Sequence, residues 1–139
     1  MTALHTAAID GDTLILSKLL QNKSVNVNIH SEEKDYHGFT ALHYAVDRGH
    51  PDSVKLLLSS ECINVNAQVT GRFYTGWTAL HLAVLWGHPE IAKLLLEHKG
   101  VNVNIKNNNG DTPLAWVEKN YVSNKQEIIS LLKAYGATE

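Results

Sequence analysis

The sequence predicts an all-α solenoid of four stacked helix–turn–helix units with projecting β-hairpin loops. The main observation is a phrase that begins at Thr2, Thr40, Thr78 and Thr112, residues that lie 38, 38 and 34 positions apart. It reads Thr-Ala-Leu-His-x-Ala in three copies and Thr-Pro-Leu-Ala-Trp-Val in the fourth. A period of this size is typical of repeat proteins, whose units bury their apolar faces only against their neighbours. Apolar residues at helical spacing after each phrase are the second observation.

The third copy contains all the elements of one unit. Thr78 can cap a first helix, and Gly87 can end it by entering the left-handed region of backbone space. Pro89 suits the first position of a second helix. The apolar stripes are Leu80, Ala83 and Val84 in the first helix and Ile91, Leu94 and Leu95 in the second.

The first and fourth copies depart from this pattern. Leu14 takes the place of Asp52 and Glu90 of the next two copies, which suggests that something covers it. In the fourth copy Tyr121 replaces the glycine and Lys133 replaces a leucine. A terminal unit needs such polar residues to face water, so we expect the fourth copy to close the C-terminal end.

These residues resemble the ankyrin-repeat family, whose units are about 33 residues long and carry the signature Thr-Pro-Leu-His-x-Ala. The likeness covers essentially the whole chain and implies an ankyrin-repeat solenoid forming one domain. It also implies that the recurring His5, His43 and His81 are structural and bond to the backbone. The implied domain is 1–139, with repeats at about 1–36, 37–74, 75–108 and 109–139.

Two of the loops between units are longer than the family pattern requires. Asn28–Thr40 and Asn66–Thr78 each enclose eleven residues, whereas Asn104–Thr112 encloses seven. The longer loops concentrate aromatic residues, which dominate the energetics of many interfaces. Alternatively, the rings pack on one another and hold the loops together. The candidate contact residues are Tyr36, His37, Phe39, Arg72, Phe73, Tyr74 and Trp77.

The resemblance also implies that a partner contacts the loop tips and the residues that end each first helix. An exposed Leu85–Trp86 pair between charged neighbours would give an apolar centre with a polar rim. Alternatively, Trp86 folds back onto the adjacent repeat. The remaining candidates are Asp47, Arg48, Lys119 and Asn120 at helix ends and Asp111 on the last loop.

Composition and motifs argue against several other functions. A net charge of −2 gives no electrostatic case for binding nucleic acid or an anionic membrane. Histidines spaced one repeat apart are too distant to share a metal ion, and no phosphate-binding or nucleophile motif occurs. The single Cys62 excludes an internal disulfide and fits a reducing compartment.

We therefore expect a non-catalytic, monomeric module that binds another protein and needs no cofactor. Its expected location is inside a cell, in the cytoplasm or nucleus, or in a host cytosol if the protein is secreted by a bacterium. One alternative is an adaptor or scaffold fragment of a larger protein whose activity lies outside this chain.

The resemblance implies a further alternative, a substrate of an asparaginyl hydroxylase. Asn66 and Asn104 follow a valine and lie eight residues after a leucine, a spacing that the family associates with this modification. The simpler interpretation is that these asparagines form hydrogen bonds within their own hairpins.

Overall fold

The computed structural model describes all 139 residues and contains eight α-helices and no β-strand. Each helix contacts its partner within one unit and the equivalent helix of the adjacent unit, so first helices form one row and second helices another. The predicted all-α stack of four helix pairs is confirmed. The helices are α1 (Ala3–Asp10), α2 (Thr13–Gln21), α3 (Ala41–Asp47), α4 (Pro51–Leu58), α5 (Ala79–Leu85), α6 (Pro89–Glu97), α7 (Pro113–Lys119) and α8 (Lys125–Ala134).

The repeated threonine and histidine form a buried layer at the start of the first helices. In the second unit the backbone N–H of Thr40 donates to His43 Nδ1 at 2.9 Å, and the Thr40 hydroxyl accepts from the His43 N–H at 3.3 Å. Since Nδ1 accepts, the neutral ring carries its proton on Nε2, which donates to the Ala67 carbonyl at 2.9 Å. The rings of His5 and His81 make equivalent bonds to the carbonyls of Ile29 and Asp111.

Burial keeps these histidines neutral. Desolvation lowers the pKa of His43 and of His81 from 6.5 to about 4, although the backbone bonds of the rings act in the opposite direction. The same cause lowers the pKa of His5. The layer is therefore a structural element that links the starts of α1, α3 and α5 to distant loops.

The turn inside each unit depends on a glycine, except in the fourth. Gly87 has φ of 66°, and a Cβ atom there would lie 2.5 Å from the carbonyl oxygen of Ser123. The fourth unit lacks this residue, and the Lys125 ammonium instead donates to the carbonyls of Glu118 and Asn120 at 3.3 and 3.0 Å. A cation thus satisfies the carbonyl groups at the C-terminal end of α7.

The two ends of the stack differ in polarity. Leu14 is 66% exposed at the first end, and Ile15 is exposed although its counterparts Ser53 and Ile91 are buried. At the other end Lys133 is exposed at a leucine position. The N-terminal end therefore exposes aliphatic side chains, whereas the last helix exposes a lysine where a leucine would be expected.

The long loops do not form the expected hairpin strands. Each is closed by two backbone bonds: Ser31 N–H to Phe39 O and Gly38 N–H to Ser31 O, both at 2.7 Å, and the equivalent pair between Val69 and Gly76–Trp77 at 2.8 Å. The two loops also pack side by side, since a Cβ atom on Gly71 would lie 1.8 Å from the His37 carbonyl oxygen. The expectation of β-hairpins is thus not confirmed.

Candidate functional site

An open cleft lies where the two long loops meet the ends of α3 and α5. Its volume is about 510 Å³, and four of its six lining residues are aromatic. Phe73 and Trp86 are 56% and 48% exposed, so about half of each ring is in contact with water. We call this site the aromatic cleft; its lining residues are Asp35, Tyr36, Asp47, Phe73, Tyr74 and Trp86.

Two buried rings support the aromatic cleft from below. Phe39 packs edge-to-face against Tyr36 and Tyr74, with ring centroids 5.3 and 6.2 Å apart. Trp77 packs in the same way against Tyr74 at 5.2 Å. Edge-to-face contacts of this kind stabilise ring orientation. The two tyrosines are therefore held in place before any ligand arrives.

Phe39 and Trp77 must be removed from the candidate contact residues. They are 0% and 7% exposed, so neither has the surface to contact a partner. The physical reason is the preceding glycine: Gly38 and Gly76 have φ of 85° and 80°, and each turns the chain back toward the core. The alternative, that these rings hold the loops together, describes them correctly.

Trp86 both reaches back to the preceding repeat and remains exposed. Its indole N–H donates to Asp47 Oδ1 at 2.8 Å, across the gap between α5 and α3. The Asp47 side chain is largely buried, and its second oxygen lies 3.7 Å from Arg48 Nε. The Arg48 guanidinium in turn lies over the Tyr36 ring, 5.5 Å from its centroid. Asp47 therefore orients both Trp86, which lines the cleft, and Arg48, which lies at its rim.

The charge of the aromatic cleft is predominantly negative. Two carboxylates line it, Asp35 and Asp47, and one guanidinium, that of Arg48, lies at its edge. Burial raises the pKa of the Tyr74 hydroxyl, and the negative charge of Asp47 and the nearby Tyr36 raise it further. The Tyr74 hydroxyl therefore stays protonated at physiological pH, and its side chain is an uncharged part of the cleft wall.

Tyr74 also has an unusual backbone conformation. Its φ is 59°, in the left-handed region that residues with a side chain rarely adopt. Such conformations cost about 1–3 kcal/mol and persist where the surroundings enforce them. In this conformation the Tyr74 ring packs against the rings of Phe39 and Trp77.

The other candidate residues lie outside the aromatic cleft. Leu85 is half-buried against the core, and His37 and Arg72 are exposed on the loops. Asp111 is largely buried and forms an ion pair with Lys119. The amide of Asn120 donates to the carbonyl of Trp116 at 2.8 Å, so it caps its own helix. Sequence reasoning missed one lining residue, Asp35.

The asparagines considered as hydroxylation sites bridge consecutive repeats. Asn66 donates to the Gly100 carbonyl at 2.9 Å and accepts from the Asn102 N–H at 2.8 Å. Asn104 makes the same pair with Gly136 and Thr138, at 3.4 and 2.8 Å. Their side-chain bonds thus go to the next repeat, while their backbone N–H groups bond within their own loops, to Asn64 and Asn102 at 3.1 and 3.0 Å. Hydroxylation of either residue stays a prediction.

Comparison with protein families agrees with this architecture. A family model described as ankyrin repeats (3 copies) matches residues 1–69, and an ankyrin-repeat model matches residues 75–108. The chain belongs to the ankyrin-repeat family. No curated protein matches it significantly.

The family assignment fixes the function only coarsely. Ankyrin repeats are generally modules for protein–protein interaction and are typically non-catalytic. No helix here has both the length and the apolar character needed to cross a membrane.

Proposed function

We propose that this chain is a non-catalytic module that binds a partner protein through the aromatic cleft and its rim. The observation that carries the proposal is the cleft itself, in which the exposed rings of Phe73 and Trp86 lie beside two tyrosines that buried rings hold in place. Aromatic residues placed in this way are the most frequent energetic centres of protein interfaces.

The exposed area is large enough to contribute to affinity. An aromatic side chain offers about 150–250 Å², and half of it remains in water at Phe73 and at Trp86. At about 25 cal/mol per Å², covering the remaining half stabilises a complex by about 2 kcal/mol per ring. The Trp86 ring is already oriented by its bond to Asp47, and Phe39 and Trp77 hold the neighbouring tyrosines, so little of the gain at Trp86 is lost to ordering the site.

The rim supplies polarity around this apolar centre. Asp35 and Arg48 are exposed beside the rings, and charges at a rim favour orientation and association rate more than affinity. The Lys119–Asp111 ion pair and Asn120 lie further along the stack and would contact only a partner that extends over α7.

Quantitative mass spectrometry of proteins captured from a cell lysate tests the proposal. Trp86→Ala should lose a set of proteins that the unmodified chain retains, because it removes the exposed indole. Tyr121→Ala is the matched control, since Tyr121 is 98% exposed and lies outside the cleft. Equal capture by all three chains would contradict the proposal, provided that thermal unfolding shows both variants to be folded.

A second candidate function is that of an adaptor or scaffold segment within a larger assembly. The apolar N-terminal end favours it, because the Ile15 side chain is exposed where its counterparts are buried. Ile15→Ser introduces the residue found at position 53, and it should weaken such an assembly while leaving binding at the aromatic cleft unchanged. Comparing native mass or sedimentation of the assembly with capture by the cleft separates the two functions.

A further inference from the structure

We propose that the aromatic cleft binds an arginine side chain of the partner protein. This inference rests on the proposed function and adds the chemical group that the site recognises. It follows from the rings, from the carboxylates beside them and from a contact that the chain already makes with itself.

The rings supply a surface that attracts cations. The face of an aromatic ring is negative, and a cation within about 6 Å of the ring centroid is stabilised by it, arginine more often than lysine. Four aromatic residues line the cleft, and three of them, Phe73, Tyr74 and Trp86, have no cation of the chain over their rings. The chain itself demonstrates the contact, because the Arg48 guanidinium already lies 5.5 Å from the centre of the Tyr36 ring.

The carboxylates determine which cation fits. Asp47 is already engaged by the Trp86 N–H and lies beside Arg48, so its role is to orient these residues. Asp35 is exposed in the cleft wall and forms no hydrogen bond or ion pair within the chain. A free carboxylate beside aromatic faces matches the planar guanidinium, which stacks on rings and donates to carboxylates in pairs.

Other cations match the site less well. A trimethyl-lysine has no N–H to donate to Asp35, and a lysine ammonium is a compact, strongly hydrated charge that does not stack. The cleft is also wide, at about 510 Å³, and open to solvent. A flat guanidinium that lies against one or two walls uses this shape best.

The first experiment measures binding of short capped peptides to the full chain by nuclear magnetic resonance. The probes are Gly-Arg-Gly and the same peptide with citrulline, which keeps the shape of arginine but is neutral. The arginine peptide should shift the indole N–H signal of Trp86 in a saturable manner at millimolar concentration. The citrulline peptide should bind at least about tenfold more weakly.

Variants then assign the effect to the cleft. Asp35→Asn should weaken the arginine peptide by about threefold to tenfold, because the charge partner is lost. Glu32→Gln is the matched control: it removes the same charge from the same exposed loop outside the cleft and should change binding less than twofold.

Three results would overturn the inference: no saturable shift, equal binding of the citrulline peptide, or tighter binding of a trimethyl-lysine peptide. These results leave the proposed function standing if the Trp86→Ala variant still fails to capture proteins that the unmodified chain captures. If the variant captures the same proteins as the unmodified chain, the proposed function fails whatever the peptides do.

Discussion

The buried threonine–histidine layer and the aromatic cleft use the repeat in opposite ways. In the layer, equivalent residues make equivalent bonds: the N–H of Thr40 lies 2.9 Å from His43 Nδ1, and that of Thr78 lies 3.1 Å from His81 Nδ1. In the cleft, Tyr36 and Tyr74 also occupy equivalent positions, but the positions beside them differ, as Asp35 and Phe73 do, or Arg48 and Trp86. Positions that repeat in every copy therefore hold the stack together, whereas positions that differ contribute most of the individual chemistry of one face.

This difference predicts a separation of effects. Changes in the layer should alter stability without selectivity for a partner. Changes at exposed cleft residues should alter binding with little effect on stability. Four measurements test the layer, the residues that support the cleft and the first end of the stack, beginning with the largest expected effect.

Acid should destabilise the fold through the histidine layer. An unfolded histidine, with a pKa near 6.5, takes up a proton below that pH, whereas folded His43 and His81 do so only near 4. Stability is therefore complete above pH 6.5 and is lost as the pH falls to about 4. The gap between the two pKa values corresponds to about 3 kcal/mol per residue.

Urea unfolding at several pH values measures this loss. His43→Gln should be less stable at pH 7 and should show a flatter dependence on pH than the unmodified chain. An unchanged slope in His43→Gln would show that this ring is not the group that titrates.

Phe39→Ala should lower the free energy of unfolding by about 4 kcal/mol, because it empties a fully buried site beneath the aromatic cleft. It should also weaken partner binding, since the ring that supports Tyr36 and Tyr74 is lost. Phe39→Leu retains most of the volume and should cost about 1–2 kcal/mol. A stability loss below 1 kcal/mol for Phe39→Ala would contradict the assignment of Phe39 to the core.

Gly71→Ala should separate the two long loops and lower the free energy of unfolding by about 2 kcal/mol, since its Cβ atom would overlap the His37 carbonyl. Gly110→Ala is the control: it also replaces a loop glycine, but nothing lies within 4 Å of its Cβ position. Because φ there is 80°, we expect a loss of about 1 kcal/mol. Only Gly71→Ala should reduce peptide binding at the cleft, although Gly71 itself does not line it.

Leu14→Glu should raise the free energy of unfolding by about 0.3–0.5 kcal/mol. Leu14 lies in the first turn of α2, where a negative charge complements the helix dipole, and it is largely exposed. Chemical denaturation of the variant measures the change. A loss of more than 1 kcal/mol would mean that Leu14 makes a packing contact that its exposure does not indicate.

The repeated features could be predicted from the sequence because each is local and occurs several times. The caps at Thr2, Thr40 and Thr78 and the first-turn prolines Pro51 and Pro89 lie where the pattern predicts them. Each depends on bonds or dihedral angles within a few residues, which is the range that a sequence pattern can report.

The aromatic cleft could be predicted only in part. Tyr36, Phe73 and Tyr74 were predicted because the longer loops concentrate aromatic residues, and Trp86 because its counterparts in neighbouring copies are charged or polar. The burial of Phe39 depends on contacts with rings from both loops, which no local pattern encodes. No sequence pattern distinguished Asp35, since it is one of several acidic residues in its loop. Its importance comes only from its position in the cleft beside residues of other elements.

The asparagine bridges have a consequence for how such a chain can change. Asn28 reaches the carbonyl of Cys62 and Asn66 that of Gly100, each 34 residues further on, and Asn104 reaches that of Gly136, 32 residues on. At every step a single asparagine side chain thus sets the pitch of the solenoid, whatever length of chain lies between the asparagine and the carbonyl that it bonds. The long loops lie within the stretches of chain that these bonds span, so they can lengthen or exchange side chains, and new partners can be acquired, without altering the spacing of the units.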